Sequence, residues 1–159
     1  MSDEPELKEI DGFLAAGLAV RTSNPRECDP ATARIGQLWQ RFGRERYAES
    51  IAPRVRPEEL LGIYTDYAGG ADDEYTLMVA CEVGEEMDIP LEAIGVEVPA
   101  GRYLIFRGEG PLPECVIETW ARIWRYFGES TQYKRAFAVD FERHDATRPD
   151  SVEIAVSIE

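Results

Sequence analysis

The stretch that decides the fold begins Cys115-Val-Ile-Glu-Thr-Trp120-Ala-Arg-Ile-Trp124-Arg-Tyr-Phe127 and continues to Glu142. At about 100° per residue its apolar side chains fall on one face, which predicts an amphipathic helix stopped by Gly128. Residues 136–142, Ala-Phe-Ala-Val-Asp-Phe-Glu, alternate in polarity and predict a strand that ends in a carboxylate. Two tryptophans beside an acid are compatible with a packed core and its rim. They are also compatible with the walls of a pocket for a flat cation, and this stretch alone leaves both open.

Length and composition indicate one globular domain over residues 1–159. The chain has 44% hydrophobic and 10% aromatic residues, which suffices for a core and is unlike a disordered segment. No apolar run approaches membrane length, and the acidic N-terminus is unlike a signal or transit peptide. The three cysteines form no Cys-x-x-Cys pair, which fits a reduced cytoplasm. We therefore expect a cytoplasmic domain without a membrane partner.

The net charge of −14 argues against one broad class of partner. So acidic a chain opposes contact with phosphate backbones, and no direct nucleic-acid binding is expected. The window between Pro57 and Gly101 contains twelve acids and neither Lys nor Arg. These acids fit solvated loops, and they also fit a negative field that concentrates cations near a cleft. Both interpretations hold together.

A second helix and several strands are predicted from periodicity. Apolar residues recur at i, i+3, i+4 and i+7 from Ile35, which predicts a helix. Its N-cap is expected at Asp29, with Pro30 at the first helical position, and its end is expected near Tyr47. A loose acidic leader is expected at residues 1–8, and strands are expected over residues 13–22, 61–67, 75–83, 92–98, 102–107 and 152–158.

The order of elements repeats along the chain as strand, helix, strand, turn, strand. The two halves are about residues 10–84 and 101–158, and aligning Asp66 with Asp140 places Ala68 opposite Glu142. Chance similarity between two amphipathic units is the alternative, but the shared order favours duplication. We predict an α+β fold of two strand-helix-strand-strand (SHS2) units. They would share an antiparallel sheet, carry two main helices and form a cleft at their seam.

Six short motifs occur in a fixed order from about Ile10 to the C-terminus. They are Val20-Arg-Thr-Ser-Asn, Leu38-Trp-Gln-Arg-Phe, Gly62-Ile-Tyr-Thr-Asp-Tyr, Val98-Pro-Ala-Gly-Arg-Tyr, Trp120-Ala-Arg-Ile-Trp and Asp140-Phe-Glu. In this order they resemble the gyrase-inhibitor-like (GyrI-like) domains. That family includes effector-binding modules of AraC- and MerR-type regulators and a stand-alone integron cassette protein. The resemblance implies the same duplicated SHS2 fold.

The resemblance also implies an aromatic cleft with an acid that receives lipophilic cations. By position the acid is Glu142, because the repeat leaves Ala68 at the corresponding place in the first half. An organic cation would partner such a carboxylate while aromatic faces attract it. The alternation of residues 136–142 does not say which face of the sheet Glu142 occupies, and only the resemblance turns it inward. The expected aromatic walls are Trp39, Tyr64, Trp120 and Trp124, with Phe106 as a further wall.

Three functions fit this sequence. The leading hypothesis is a stand-alone effector-binding domain for small lipophilic, cationic, partly aromatic compounds, without cofactor or metal. No helix-turn-helix is expected ahead of the domain, so gene control is expected to need a regulator partner protein, and a homodimer is left open. The first alternative is a hydrolase of reactive electrophiles with Glu142 as general base, although His144 is expected in a polar turn and no Ser-His-Asp set is visible. The second alternative is an acidic partner of a DNA-handling enzyme.

Overall fold

One antiparallel sheet carries two main helices on the same face. The structure is a computed structural model that describes residues 5–45, 51–56, 58–70, 72–88, 93–129 and 132–159. Within these ranges no helix combines the length and apolar character needed to cross a membrane. The helices are α1 Asn24–Glu27, α2 Ile35–Arg44 and α3 Glu114–Glu129. The strands are β1 Glu6–Ile10, β2 Phe13–Thr22, β3 Ala52–Arg54, β4 Glu59–Thr65, β5 Tyr75–Asp88, β6 Ile94–Val98, β7 Gly101–Glu109, β8 Asp140–Asp145 and β9 Ser151–Ser157.

The sheet joins two similar halves at its centre. Its strand order is β1-β7-β9-β8-β4-β5-β2-β6, and β3 pairs with β5 outside that order. The junction between β4 and β8 is called the seam here. Every described pairing is antiparallel. The predicted α+β class, antiparallel sheet and two main helices are therefore confirmed.

The strand registers relate the two halves residue by residue. Phe13 pairs with Val98 at the start of β2, as Gly101 pairs with Ile10 at the start of β7. Short strands β6 and β1 thus each extend the opposite half of the sheet. When Phe13 and Gly101 are taken as equivalent, the pairings of β2 with β5 and of β7 with β9 make Ala80 equivalent to Ala155. Ala80 pairs with Leu61 and Ala155 pairs with Phe141, so Leu61 and Phe141 are equivalent as well. The next residues are then equivalent too.

Gly62 is therefore the counterpart of Glu142, and the two residues also pair directly across the seam. The alignment of Asp66 with Asp140, which placed Ala68 opposite Glu142, is wrong. It matched two short Asp-aromatic motifs and took no account of how far each strand slides along its neighbour.

The sheet has a different core on each face because successive side chains alternate. One face buries Leu61, Ile63 and Phe141 in a single cluster. The other face packs against the helices in two clusters. Leu38 and Phe42 of α2 pack in one of these clusters. Trp120 and Ile123 of α3 pack in the other. Burial of each large apolar side chain contributes roughly 1.5–3 kcal/mol, so the helices are held mainly by these stripes.

The start of α2 differs from the prediction. Asp29 accepts a hydrogen bond from the Ala31 N–H within a turn, and α2 begins only at Ile35. The carboxylate of Glu27 accepts from the backbone N–H groups of Arg34 at 2.9 Å and Ile35 at 3.0 Å. A carboxylate from the preceding helix thus satisfies N–H groups at the start of α2, where the N-cap residue Arg34 makes no capping hydrogen bond with its side chain. The predicted end near Tyr47 lies outside the described residues.

Other boundaries also differ from the predictions. Residues 6–10, expected in a loose leader, form β1 and pair with β7, while residues 1–4 lie outside the described ranges. The helix α3 continues through Gly128 to Glu129. The strand expected over residues 136–142 begins only at Asp140. The preceding segment turns instead, since Phe137 has a φ of 52° and Arg135 folds back onto Asp140 at 2.8 Å.

Candidate functional site

A buried carboxylate lies on the helix-covered face of the seam. Glu142 of β8 is 3% exposed. Its Oε2 accepts hydrogen bonds from the Tyr64 hydroxyl and the Trp120 indole Nε1, both at 2.7 Å. Its Oε1 lies 2.9 Å from Nε2 of His144. One central strand, one neighbouring strand and one helix therefore converge on a single acid.

The register of the seam makes room for this acid. Because Gly62 is the cross-strand partner of Glu142, both positions face the helices. A Cβ added at Gly62 would lie 3.0 Å from Oε1 of Glu142 and 3.4 Å from Cζ2 of Trp39. Any larger residue at this position would press on the carboxylate. The absent side chain at Gly62 is thus the space into which Glu142 fits.

Glu142 has hydrogen-bond donors but little positive charge around it. Among the described residues, no Lys or Arg lies within 4.0 Å of its oxygens, and its one ion-pair geometry is with His144. Burial raises the pKa of the Tyr64 hydroxyl well above its ordinary value, and the negative charge of Glu142 raises it further. Tyr64 is therefore a neutral donor. A carboxylate held mainly by neutral groups in a buried place is a strong attractor for a cation.

The structure brings most of the predicted site residues together. Tyr64 and Trp120 bond the acid directly, and their rings meet edge to face at 5.0 Å. Trp39 lies over Gly62 and contacts His144 at a ring distance of 5.0 Å. Trp124 is one ring further out, 6.3 Å from Trp120, and is 44% exposed.

Phe106 lies apart from this cluster. It is 3% exposed and packs against Tyr126 and Phe127 in the core beneath α3. Two strand pairings separate it from Glu142, since Phe106 and Glu142 both pair with Ile154 of β9. Its position is therefore that of a core residue.

The sequence interpretation missed His144. It was expected in a polar turn, whereas it lies on β8 with its ring against the carboxylate and against Trp39. The available signal was the spacing Glu142-Arg-His144, because residues two apart on a strand face the same side. That signal required β8 to continue past Glu142. The chain has a single histidine, so this contact uses its only imidazole.

A second buried acid lies on the same face. Asp140 is 0% exposed and accepts from Nη2 of Arg135 at 2.8 Å and the Tyr67 hydroxyl at 2.6 Å. Its other oxygen accepts from the N–H and hydroxyl of Ser157 at 2.8 and 3.0 Å. Unlike Glu142, this carboxylate is paired with an arginine, whose positive charge is permanent. The two acids therefore differ in how far their negative charge is neutralised.

An open cavity lies between α1 and the C-terminal end of α3, next to Arg135. Its volume is about 1010 Å³. Glu142 is not among its lining residues, so the acid is not reached from the cavity in this conformation. Aromatic side chains form much of the wall, together with two basic residues. The wall includes Trp124, Phe127, Tyr133, Lys134, Arg135 and Phe137.

Comparison with protein families finds one that covers nearly the whole chain. A family model named Cass2, described as integron-associated effector binding protein, matches residues 6–158. The YobU protein of Bacillus subtilis (strain 168), named as a candidate transcriptional regulator, is 27% identical over 140 residues. The match covers 87% of this chain and 85% of YobU.

Two solved structures share the fold. The integron cassette protein VCH_CASS2, from the mobile metagenome of Vibrio cholerae, superposes with a TM-score of 0.80 and 29% identity, covering 98% of this chain and 96% of its own. SAV2435, solved bound to tetraphenylphosphonium, gives a TM-score of 0.73 and 18% identity, covering 98% and 94%. At that identity SAV2435 shows the fold alone. Together with the family match, these structures confirm the GyrI-like resemblance.

Proposed function

Because the chain belongs to the Cass2 family of integron-associated effector binding proteins, we propose that it binds small lipophilic organic cations, with Glu142 as the counter-charge. The observation that carries the proposal is the burial of this acid together with the kind of groups that contact it. Glu142 is 3% exposed, and its oxygens meet a phenol, an indole and an imidazole rather than a Lys or Arg among the described residues.

The energetics favour a cation with an apolar body. Removing a carboxylate from water is costly, and hydrogen bonds from neutral groups offset only part of that cost. A cation would supply the missing charge, and each well-placed ring of Tyr64, Trp120 or Trp39 would add roughly 0.5–2 kcal/mol. A small hydrated cation such as sodium would gain little from the rings. The ligand class is therefore organic and partly aromatic.

Binding would require the site to open. In the present conformation Tyr64 and Trp120 close over Glu142, and Trp120 is only 7% exposed. The cavity reaches Trp124, whose ring centre lies 6.3 Å from that of Trp120. We infer that a ligand enters from this side by turning the Trp120 indole away. Its apolar part would then remain against Trp124.

The test is isothermal titration with two compounds of similar shape and different charge. Methyltriphenylphosphonium is the cation and triphenylphosphine oxide is the neutral comparison; tetraphenylphosphonium, the ligand of SAV2435, is a third probe. Glu142→Gln keeps the size of the side chain and removes its charge, so phosphonium affinity should fall at least about tenfold while phosphine oxide affinity changes little. Glu118→Gln, at an exposed position of α3, is the control for the loss of one charge. Equal losses of phosphonium affinity in the two Gln variants would indicate that Glu142 has only a structural role.

One observation supports a second candidate, the hydrolysis of reactive electrophiles. Glu142 and His144 lie 2.9 Å apart, and a carboxylate–imidazole pair is suited to activating water as a general base. This candidate predicts turnover of an electrophile such as styrene oxide to its diol. Glu142→Gln should then abolish turnover even where binding survives. Binding without turnover in the wild-type protein would leave the effector-binding proposal alone.

A further inference from the structure

The guanidinium of Arg135 occupies a box of aromatic rings. Its Cζ lies 4.4 Å from the ring centre of Phe137, 5.5 Å from that of Trp120 and 5.6 Å from that of Tyr67. Asp140 closes the box with a salt bridge of 2.8 Å. The four residues around Arg135, namely Tyr67, Trp120, Phe137 and Asp140, are called the aromatic box here. A flat cation, three rings and a buried carboxylate are the components of a cation-recognition site.

The fit of Arg135 in the aromatic box is incomplete. Its Nε is the one side-chain nitrogen or oxygen of the described residues that is buried without a hydrogen-bond partner. An unpaired buried donor is unfavourable, which weakens the hold of the box on this side chain. Arg135 also lines the open cavity, so space into which its side chain can move lies next to it.

The aromatic box shares one wall with the Glu142 site. The Trp120 ring faces the guanidinium of Arg135 at 5.5 Å, while its indole N–H donates to Glu142 at 2.7 Å. A ligand that turns Trp120 to reach Glu142 would therefore also disturb the contact with Arg135. Two positive charges around one indole repel each other, so Arg135 and an incoming cation compete.

We propose that the aromatic box is a second cation-binding site, filled by the chain's own Arg135, and that Arg135 decides which cations bind. The external ligand class is a flat amidinium or guanidinium joined to an aromatic ring, because that shape reproduces the side chain it replaces. The inference rests on the proposed function only where it concerns access to Glu142. Occupancy of the aromatic box itself depends on Asp140.

The test removes the internal cation. Arg135→Gln should bind benzamidinium at least about tenfold more tightly than the wild-type protein, because Asp140 and the three rings become available. The double variant R135Q/D140N should lose this gain, since it has the same space without the charge. Arg125→Gln, at an exposed position of α3, should bind as the wild type does. Equal benzamidinium affinity in R135Q and R125Q would overturn the proposal.

The outcomes for the two sites can be told apart. If phosphonium binding depends on Glu142 but R135Q gains no benzamidinium affinity, the proposed function is supported and the proposal of a second site at the aromatic box is contradicted. A benzamidinium gain that depends on Asp140, with phosphonium binding insensitive to Glu142→Gln, would do the reverse. If R135Q does not fold, R135A is refolded with and without ethylguanidinium. A higher melting temperature with this cation supports the aromatic box, and no rise contradicts it.

Discussion

Gly62 and Glu142 are cross-strand partners at the seam, and the register makes them equivalent positions in the two halves. One half contributes a carboxylate at this position and the other contributes no side chain. A second acid here would place two like charges side by side, and a larger apolar residue would fill the space. The difference between these two residues turns a nearly symmetric junction into a site with a single charge.

The Gly62→Ala variant tests this relationship. The added methyl group would lie 3.0 Å from Oε1 of Glu142, which is anchored by three hydrogen bonds and cannot move freely. We expect a loss of about 1–3 kcal/mol in the free energy of unfolding and weaker phosphonium binding, measured by urea denaturation and titration. Gly36→Ala in α2 is the control, because a Cβ added at Gly36 would have nothing within 4 Å. It should stabilise the protein by up to about 1 kcal/mol. Equal effects in the two variants would contradict the close approach.

The Trp120→Phe variant tests the indole donor. Phenylalanine keeps an aromatic ring but leaves Oε2 of Glu142 with only the Tyr64 hydroxyl. We expect the free energy of unfolding to fall by about 1–3 kcal/mol, because a buried charged acceptor loses one partner. Trp124→Phe is the matched control, since that ring is 44% exposed. An equal loss at both positions would point to ring size rather than to the hydrogen bond.

Alkaline pH should destabilise the fold through buried phenols. Burial, with a contribution from Asp140, raises the pKa of Tyr103 to about 12, while an unfolded tyrosine titrates near about 10. Below pH of about 10 the hydroxyl is protonated in both states, so its titration does not make stability depend on pH there. Above that pH the unfolded chain releases a proton that the folded chain retains, and stability therefore falls as pH rises toward about 12.

The measurement is urea denaturation across this pH range, with phenolate absorbance followed in parallel. Tyr103→Phe loses the hydrogen bond to the Pro99 carbonyl, so its stability at neutral pH should be lower. Its further decline above pH of about 10 should be shallower than that of the wild type. Parallel declines would show that Tyr103 titrates normally in the folded protein.

The isolated chain should not bind duplex DNA at physiological salt. A net charge of −14 repels the phosphate backbone. So acidic a surface also neutralises few phosphates, so little free energy comes from the release of DNA counterions. A fluorescence-anisotropy titration with random duplex DNA measures this directly. Submicromolar binding that weakens steeply with added salt would contradict the expectation. A role in gene control would then need no regulator partner protein.

The sequence by itself determined those helices and strands in which apolar residues recur at a regular spacing within one segment. The strand β2 has the bounds predicted for it, Phe13–Thr22, and α3 was predicted to within two residues at its C-terminal end. Apolar spacing along one segment is enough for these predictions, because a helix or strand buries one face whatever it packs against. The α+β class follows from the order of such elements. The family resemblance supplied Glu142, the two aromatic residues that bond it, Tyr64 and Trp120, and two more aromatic residues further from it.

Only the tertiary structure decided how these residues meet. Tyr64 and Glu142 are 78 residues apart in the chain, and their contact depends on the register between β4 and β8. A slip of one residue would turn Glu142 to the opposite face, and no local pattern specifies that register. The burial of Phe106 in the core likewise depends on packing between segments far apart in the chain. The contact of His144 with the acid and the fold-back of Arg135 onto Asp140 join residues close in the chain. Both depend on where β8 begins and ends, and that extent is set by its pairing with β4 and β9, which the local sequence does not specify.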